Sequence, residues 1–479
     1  MPVGYPTGMA TLAFPDFGRR GERAAELTIT DPRNGEKVGT LNCSSDGELK
    51  QVIDSARTAQ SLWAQTPAER RGRLLREAAE VLAEHVDELA ELNSRETGRN
   101  DEDARGGVLA GVDTLRQYAE LGPVHRGRSL AGTSTASDYT RFEPRGIALV
   151  LTPWNDPVAV ACGLIGAAVV TGNAVIHKPS ERSPHVGLRL GSLLSSVLPP
   201  EVMQTVTGGA EVGARLVSDP HIDVIAHVGS SASGLEIGRL AAMHGAHVVR
   251  ENGGNDALIV DAGLDPGWCA REAARGAFAN SGQLCTAVER IYVHRDLADA
   301  FVTELTAIAT KLNDDRALAP LVDERMRKQV HEQVTDAVAH GARPLVGGAP
   351  ERGPGCYYPA TVLTDCTGEM AIMREETFGP VAPIQVVEDF DEALIAAAHD
   401  RFGLAATVLT GQIAHAELAI AELPVGTIKI NNVFGGAPGG SAHPRRDSGS
   451  GYGYGPELLD EMTVAKVVHL AAPGGRADG

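Results

Sequence analysis

Residues 280–287 read Asn-Ser-Gly-Gln-Leu-Cys-Thr-Ala, and the rest of the chain can be interpreted outward from this stretch. It ends a run of small residues from Ala270 to Ala279 and precedes a strand-like run from Val288 to Val293. A cysteine at such a junction, flanked by glycine and small polar residues, can lie clear of the core and act as a nucleophile. A lone cysteine is more often a buried structural residue, so Cys285 needs support from other stretches.

The first supporting stretch lies upstream, where Glu251 follows a strand-like run, His247 to Val249, and precedes two glycines. A carboxylate held there can serve as a base for the thiol or for water, although it can also be an ordinary solvated residue at a strand end. Two further stretches combine proline, aromatic and polar residues. They are Thr152–Pro157 and Glu375–Pro380.

Four stretches therefore stand in a fixed order along the chain. They read Thr-Pro-Trp-Asn-Asp-Pro at 152–157, Glu-Asn-Gly-Gly-Asn at 251–255, Gly-Gln-Leu-Cys at 282–285 and Glu-Glu-Thr-Phe-Gly-Pro at 375–380. In order and spacing they resemble the motifs of the aldehyde dehydrogenase superfamily, and the resemblance runs over nearly the whole chain. Four ordered motifs are a specific signal, whereas any one of them alone is weak.

This resemblance implies an α/β fold of the aldehyde dehydrogenase type. A Rossmann-type cofactor domain, an α/β catalytic domain and a small β oligomerisation element are expected. The implied bounds are 1–121 and 141–252 for the NAD-binding domain, 253–445 for the catalytic domain, and 122–140 and 446–479 for the oligomerisation element.

Length and composition agree with a globular enzyme of two or three domains, because 479 residues exceed one ordinary core. The formal net charge of −19 argues against nucleic acid or an anionic membrane as a partner. We expect no membrane span and no secretion signal, because the matching apolar runs are missing. The six cysteines form no Cys-x-x-Cys pair, which predicts a cytoplasmic protein without a metal site or disulfide framework.

From Gly146 onward, apolar runs of strand length alternate with runs of helical length. Strands are predicted at 147–151, 174–177 and 224–228, and helices at 157–170, 184–197 and 231–242. Such alternation predicts a parallel sheet wrapped by helices, with ligands bound beyond the carboxyl ends of the strands. A second series begins at 257–260 and includes Cys285, which predicts a second α/β unit.

The remaining segments predict peripheral structure. Residues 1–25 are expected to form a surface arm and residues 28–41 a hairpin, followed by two helices, the second capped by Thr66. Residues 127–142 are polar and are either a loop or, by the resemblance, a β excursion that meets another subunit. With a terminal strand at 464–470, the resemblance implies a homodimer or homotetramer in which one subunit's tail extends another's sheet.

The resemblance assigns catalytic roles to three residues. Cys285 is the nucleophile that adds to the aldehyde, and it is expected to be the most reactive of the cysteines. The Asn155 side chain and the Cys285 backbone N–H stabilise the resulting oxyanion. Glu251 is the general base that activates water. Without the other motifs, Asn155 would be interpreted as a turn residue before a helix.

For the cofactor, no Gly-x-Gly-x-x-Gly follows a predicted strand, and Gly229-Ser230 at a helix start is a weak phosphate signal alone. The resemblance places the pyrophosphate there, the adenosine ribose on Lys178 and Glu181, and the nicotinamide ribose on Glu376. The expected cofactor is NAD, because Glu181 would bind the ribose 2′-hydroxyl and repel a 2′-phosphate. The complete expected set is Trp154, Lys178, Ser180, Glu181, Gly229, Ser230, Glu376 and Phe378.

The substrate pocket departs from the usual pattern of the family. Its expected residues are Asp156, Leu284, Thr286, Arg445 and Arg446. Arg445 and Arg446 favour an aldehyde with a distal anion, such as a semialdehyde, whereas Asp156 favours a cationic aminoaldehyde. These residues can also pair with one another and leave a neutral pocket. Since two arginines outnumber one aspartate, the sequence favours the anionic substrate.

The predicted reaction is the NAD-dependent oxidation of an aldehyde to the carboxylic acid, through a thiohemiacetal and then a thioester on Cys285. One alternative is an acylating semialdehyde dehydrogenase that passes the thioester to coenzyme A, a branch that commonly lacks the carboxylate of Glu251. Another is a non-catalytic structural member of the fold, which the presence of Cys285, Asn155 and Glu251 disfavours.

Overall fold

The computed structural model describes residues 26–435, 440 and 443–471, so the arm predicted for residues 1–25 lies outside the described part. The strands are β1 (Glu26–Thr30), β2 (Lys37–Asn42), β3 (Ser129–Leu130), β4 (Ala136–Pro144), β5 (Ile147–Leu151), β6 (Ala174–Lys178), β7 (Met203–Thr205), β8 (Val224–Val228), β9 (His247–Glu251), β10 (Asp256–Val260), β11 (Val288–His294), β12 (Arg343–Val346), β13 (Thr361–Thr364), β14 (Val381–Val387), β15 (Ala405–Leu409), β16 (Thr427–Ile430), β17 (Gly449–Ser450) and β18 (Thr463–Ala471). The helices are α1 (Asp46–Trp63), α2 (Ala68–Glu84), α3 (Val86–Thr97), α4 (Asp101–Val124), α5 (Pro157–Val170), α6 (Pro184–Ser195), α7 (Ala210–Val217), α8 (Ser231–Ala241), α9 (Pro266–Phe278), α10 (Arg295–Asp314), α11 (Glu324–Ala339), α12 (Phe390–Ala398), α13 (Ile413–Glu422) and α14 (Leu458–Glu461). Within the described ranges, no helix is long and apolar enough to cross a membrane.

Two sheets form the centres of two α/β units. The first has the strand order β17-β9-β8-β5-β6-β7, and the second has the order β12-β13-β14-β11-β10-β15-β16. Only the edge strands β17 and β12 pair antiparallel within these sheets. Every residue of β5, β6, β10 and β15 is buried, as expected for strands that helices cover on both faces. The predicted α/β fold with parallel sheets is therefore confirmed.

The motif residues follow strands of the first sheet and precede strands of the second. Thr152–Pro157 follows β5, Glu251 ends β9, and Cys285 lies between α9 and β11. Because β9 belongs to the first sheet and β11 to the second, the site forms where the two units meet. Neither unit alone contains all the motifs.

The amino-terminal segments pack around the first unit. The predicted hairpin is confirmed, because β1 pairs antiparallel with β2. The predicted cap at Thr66 is wrong: α2 starts after Pro67 without a side-chain cap, and the Thr66 hydroxyl donates to the Leu62 carbonyl (3.4 Å). A hydroxyl that bonds back to the preceding helix is not available to cap the next one.

The third sheet consists of β18, β4 and β3, with β18 paired along the whole of β4. The segment predicted as either a loop or a β excursion thus contains strands. Several of its apolar side chains are exposed, among them Leu130, Val467 and Leu470. Assembly into a homodimer or homotetramer stays a prediction.

The predicted division into domains differs from the sheets in two places. β4 continues to Pro144, beyond the boundary at residue 140, because its ladder with β18 extends that far. β17 pairs with β9, and Leu458, Leu459 and Met462 are buried in the core of the first unit. Most of the segment 446–462 therefore packs with the first unit, because its apolar side chains are buried in that core.

Helices α4 and α5 approach closely at glycine. A Cβ atom added to Gly122 would lie 2.1 Å from a methyl group of Val170 on α5. Gly106, on the same helix, has no atom within 4 Å of such a Cβ. The two glycines therefore differ in packing while sharing a helical backbone.

We expect Gly122→Ala to lower the urea midpoint of unfolding, since overpacking a core costs about 1–3 kcal/mol. Gly106→Ala is the matched control and should raise the midpoint, because alanine is favoured over glycine in a helix by roughly 0.5–1 kcal/mol. Shifts of the same sign in both variants would contradict this account of the α4–α5 contact.

Candidate active site

The turn that carries Cys285 is built from left-handed backbone. Asn280, Ser281 and Gly282 have φ values of +46°, +57° and +72°. A Cβ atom on Gly282 would lie 2.1 Å from the Gly379 carbonyl oxygen, so only glycine fits at this position. The Ser281 hydroxyl donates to the Ala319 carbonyl (2.6 Å) and thereby holds the strained turn in place.

Gln283 anchors the same turn from inside the protein. Its buried amide nitrogen donates to the carbonyls of Asn280 (3.1 Å) and Pro320 (3.2 Å). Its amide oxygen accepts from the Val322 backbone N–H (2.9 Å). This anchoring role was not predicted for Gln283, although a glutamine within the Gly-Gln-Leu-Cys motif was the available signal.

The Cys285 thiol donates to the Glu251 carboxylate, with 3.6 Å between Sγ and Oε1. Burial, together with the Glu251 charge, raises the pKa of the Cys285 thiol well above its usual value. Burial also raises the pKa of Glu251, and the thiol hydrogen bond partly offsets this. The proton therefore rests on sulfur, and the carboxylate is its nearest acceptor.

Asn155 lies against the Cys285 turn. Its side-chain nitrogen donates to the Gln283 backbone carbonyl (3.1 Å), and the backbone carbonyl of Asn155 accepts from the Arg99 side chain (3.0 Å). An amide NH₂ has two hydrogens, and the contact with Gln283 uses one of them. The second can serve an oxyanion formed beside Cys285.

Lys178 and its neighbours lie at the carboxyl end of β6. The Lys178 ammonium donates to the carbonyls of Pro179 (2.9 Å) and Gly208 (2.8 Å), and burial lowers its pKa. The Ser180 hydroxyl accepts from the Arg182 backbone N–H (3.2 Å). Glu181 is partly exposed and is close enough to Lys178 to favour the charged ammonium. An anionic group at position 181 thus stands next to a buried cation.

Gly229 and Ser230 lie between β8 and the start of α8. The Ser230 hydroxyl accepts from the Ser233 backbone N–H (3.3 Å) and caps the helix. The Ser231 hydroxyl oxygen is buried and has no hydrogen-bond partner in the described part of the chain. A helix start with a free buried hydroxyl suits the pyrophosphate of a dinucleotide, so these residues fit the expected cofactor.

Glu376 and Phe378 lie on a turn beside the glycines of the Glu251 motif. Glu376 Oε1 accepts from the Gly254 backbone N–H (3.1 Å), and burial raises the pKa of Glu376 to about 7. Both carboxylate oxygens of the buried Glu289 accept backbone N–H groups, from Thr377 (2.7 Å) and Phe378 (2.8 Å). Burial and the nearby Glu376 raise the pKa of Glu289. This support comes from the strand after Cys285 and was not predicted from the sequence.

Aromatic and ionic contacts join the two units beside this turn. The Trp154 ring meets the Phe378 ring edge-on, with 5.6 Å between centroids. The Arg182 guanidinium lies 5.4 Å from the Trp154 ring centroid and pairs with Asp323 at 2.8 Å. Residues 154 and 182 belong to the first unit and residues 323 and 378 to the second, so these contacts fix the two sides of the cleft.

The charged residues predicted for the substrate pocket do not converge. Asp156 pairs with Arg99 at 2.9 Å, so the hypothesis that it pairs with Arg445 or Arg446 is wrong. Both of those arginines are exposed. Arg446 donates to the carbonyls of Ala398 and Asp400, which commits its guanidinium to the end of α12.

The two uncharged residues predicted for the pocket behave differently. Leu284 and Thr286 flank Cys285 directly and are partly exposed. The wall next to the thiol is thus formed by a leucine and a threonine, and neither contributes a formal charge. Any charge that selects a substrate must come from other residues.

Comparison with known proteins agrees with these motifs. The chain matches the model of the aldehyde dehydrogenase family over residues 19–468. It is 33% identical over 472 residues to the alpha-ketoglutarate semialdehyde dehydrogenase of Haloferax volcanii, covering 94% of this chain and 96% of that protein.

Solved structures agree as well. Betaine aldehyde dehydrogenase from Staphylococcus aureus in complex with NAD⁺ superposes with a TM-score of 0.91 at 26% identity, over 95% of this chain and 93% of that one. A 3,6-anhydro-L-galactose dehydrogenase in complex with NADP gives 0.90 at 30% identity, over 93% and 96% of the two chains. The chain therefore belongs to the aldehyde dehydrogenase family, as an enzyme that oxidises an aldehyde with NAD(P).

Proposed function

We propose that the enzyme oxidises its aldehyde to the carboxylic acid with NAD, through a covalent intermediate on Cys285 that Glu251 then helps to hydrolyse. The observation that carries this proposal is the 3.6 Å contact between Cys285 Sγ and Glu251 Oε1. A nucleophile in contact with a carboxylate base supports both halves of such a reaction, addition and hydrolysis.

In the first half, Cys285 Sγ forms a bond to the carbonyl carbon, and its proton passes to the Glu251 carboxylate. Burial makes this carboxylate a stronger base than an exposed one, because it raises the pKa of Glu251. The electron pair of the C=O π bond moves to oxygen, and the free N–H of Asn155 and the Cys285 backbone N–H stabilise the thiohemiacetal oxyanion. When bound, NAD⁺ supplies the oxidant by accepting a hydride from the tetrahedral carbon, which leaves a thioester.

Glu251 releases the first proton to solvent before the second half. It then accepts a proton from water as the water oxygen adds to the thioester carbon. When the C–S bond breaks, the carboxylic acid leaves and Glu251 passes this proton to the sulfur of Cys285. Gly453 leaves room for the Glu251 carboxylate, because a Cβ atom at position 453 would lie 2.7 Å from Glu251 Oε2. The same oxyanion donors serve both halves.

This division of labour also separates the proposal from its alternatives. Transfer of the thioester to coenzyme A needs no base for water, yet Glu251 contacts the thiol directly. A non-catalytic member would need neither this contact nor the left-handed turn that presents Cys285. Both observations favour hydrolysis by an active enzyme.

The preference for NAD over NADP is part of the proposal. Glu181 is a partly exposed carboxylate after β6, next to the expected position of the adenosine ribose. It would accept a hydrogen bond from a 2′-hydroxyl and repel a 2′-phosphate. Lys178 does not offset this repulsion freely, because its ammonium is engaged by two carbonyls.

The protonation of Cys285 is testable by alkylation. Burial and the Glu251 carboxylate raise the thiol pKa, so the thiolate fraction of the free enzyme is small at neutral pH. We expect the rate constant for iodoacetamide modification of Cys285 to rise about tenfold per pH unit between pH 7 and 9, because the thiolate is the reactive form. Glu251→Gln removes the repelling charge and should raise the rate at pH 8.

Peptide mass spectrometry identifies the modified cysteine, and Cys285→Ala is the control that loses both this label and turnover. A fast rate that stays flat from pH 6 to 8 would mean a resting thiolate and would contradict the assigned pKa direction.

The cofactor preference is testable by kinetics. We expect kcat/KM to favour NAD⁺ over NADP⁺ by at least roughly tenfold, the effect of one unfavourable charge contact. Glu181→Ser should narrow that ratio, whereas Glu84→Ser, at an exposed position on α2, should leave it unchanged. Equal use of both cofactors by the unaltered enzyme would refute the assignment of Glu181.

A further inference from the structure

Phe434 lies between two cationic side chains near the end of the second sheet. The Arg275 guanidinium lies 5.9 Å and the Lys429 ammonium 5.7 Å from the ring centroid. The ring is partly buried against the core that also holds α9. An aromatic ring can hold two cations near each other because its π face attracts both.

One member of this cationic pair lies on the helix that leads to Cys285. Arg275 lies in the last turn of α9, and that helix runs directly into the turn of residues 280–285. Glu272 Oε2, from the same helix, accepts from the Val433 backbone N–H (3.1 Å) and so fixes the segment that carries Phe434. The three side chains are therefore tied to the element that positions the nucleophile.

The two cationic side chains differ in their exposure to solvent. The Arg275 side chain is 52% exposed, whereas Lys429 on β16 is mostly buried. Burial lowers the pKa of the Lys429 ammonium, and the nearby Asp256 carboxyl partly offsets this effect; Cys285 also lies within electrostatic range. One cation is thus exposed to solvent, and the other lies within electrostatic range of the thiol.

Of the two cations, Lys429 is the one without a carboxylate at ion-pair distance in the described residues. Arg275 pairs with Glu272 at 2.6 Å. Within the described ranges, no carboxylate forms an ion pair with Lys429 at 4.0 Å or less. The Asp256 carboxyl lies beyond this distance, and its Oδ1 accepts from the Ala405 backbone N–H (3.0 Å). A partly buried cation without a counter-ion favours binding of an anion.

We propose that Lys429 binds an anionic group at the far end of the substrate, with Arg275 attracting that group at the entrance, so that the substrate class is an aldehyde bearing a carboxylate. This inference rests on the proposed function and assigns the anion to residues that the sequence did not single out. Arg446, which the sequence favoured, is engaged by backbone carbonyls elsewhere.

The test measures kcat/KM with NAD⁺ for three aldehydes of similar size: pentanal, 5-oxopentanoate and 4-(trimethylammonio)butanal. We expect 5-oxopentanoate to lead pentanal by about tenfold or more, the usual effect of one charge-assisted contact. In Lys429→Met this ratio should fall towards one. Lys429→Arg keeps the charge and should keep most of the preference.

Two further variants complete the design. Arg275→Gln should weaken the preference mainly through a higher KM for 5-oxopentanoate, since it acts at the entrance. Arg271→Gln is the matched control, because Arg271 lies one turn earlier on α9 and is 64% exposed, whereas the cations that contact the Phe434 ring in the described residues are Arg275 and Lys429. It should keep the preference of the unaltered enzyme.

The outcomes separate this inference from the function on which it rests. If no aldehyde yields NADH, the proposed function fails. If pentanal is oxidised but 5-oxopentanoate has no advantage, or if the trimethylammonium aldehyde leads, only this inference is overturned. It is also overturned if Lys429→Met lowers all three values equally, because Lys429 would then act on the thiol or the fold rather than on a substrate charge.

Discussion

The hydrogen bond from the Cys285 thiol to the Glu251 carboxylate is the contact on which the rest of this structure depends. Glu251 ends a strand of the first sheet, and Cys285 precedes a strand of the second. The 3.6 Å contact therefore exists only when both units are folded and docked. Burial raises the pKa of both groups, so the thiol holds its proton more firmly and the carboxylate accepts a proton more readily than in an exposed pair.

Several buried groups hold this contact in place without touching it. Gln283 anchors the left-handed turn through three hydrogen bonds, and Glu289 fixes the turn of residues 377 and 378 through two. Glu289 and Glu376 are close, and burial raises the pKa of each carboxyl group. Protonation of one member relieves the repulsion between them, which lets two acidic residues share a dry site. Rigid support of this kind is what a reaction centre needs when its geometry must not vary.

The sequence predicted the α/β fold well, because continuous apolar strands alternate with helices and four motifs stand in a fixed order. The structure brings Cys285, Glu251 and Asn155 together at the junction of the two units, as those motifs imply. Two kinds of feature could not be predicted. The first kind is the hydrogen-bond partner of a residue before a helix. Thr66 has the pattern of a helix cap, yet its hydroxyl donates to the preceding helix, a choice that the local sequence does not determine.

The second kind of feature that could not be predicted from the sequence is long-range charge pairing. Asp156 and Arg446 carry the right chemistry for a substrate pocket, but their partners are Arg99 and the carbonyls after α12. These partners lie far away in sequence, and a single chain gives no signal for them. For the same reason, the sequence indicated no role for Glu289, which holds the turn of residues 377 and 378, or for Lys429, which lies within electrostatic range of Cys285.

The most direct test of the division of labour between Cys285 and Glu251 is a rapid-mixing experiment on Glu251→Gln with NAD⁺ and an aldehyde substrate. The account predicts a burst of NADH close to one equivalent per active site, followed by slow turnover, with an acyl group on Cys285 detected by mass spectrometry. Steady NADH formation without a burst and without an acyl-enzyme would contradict the account, because Glu251 would then contribute more to forming the thioester than to hydrolysing it.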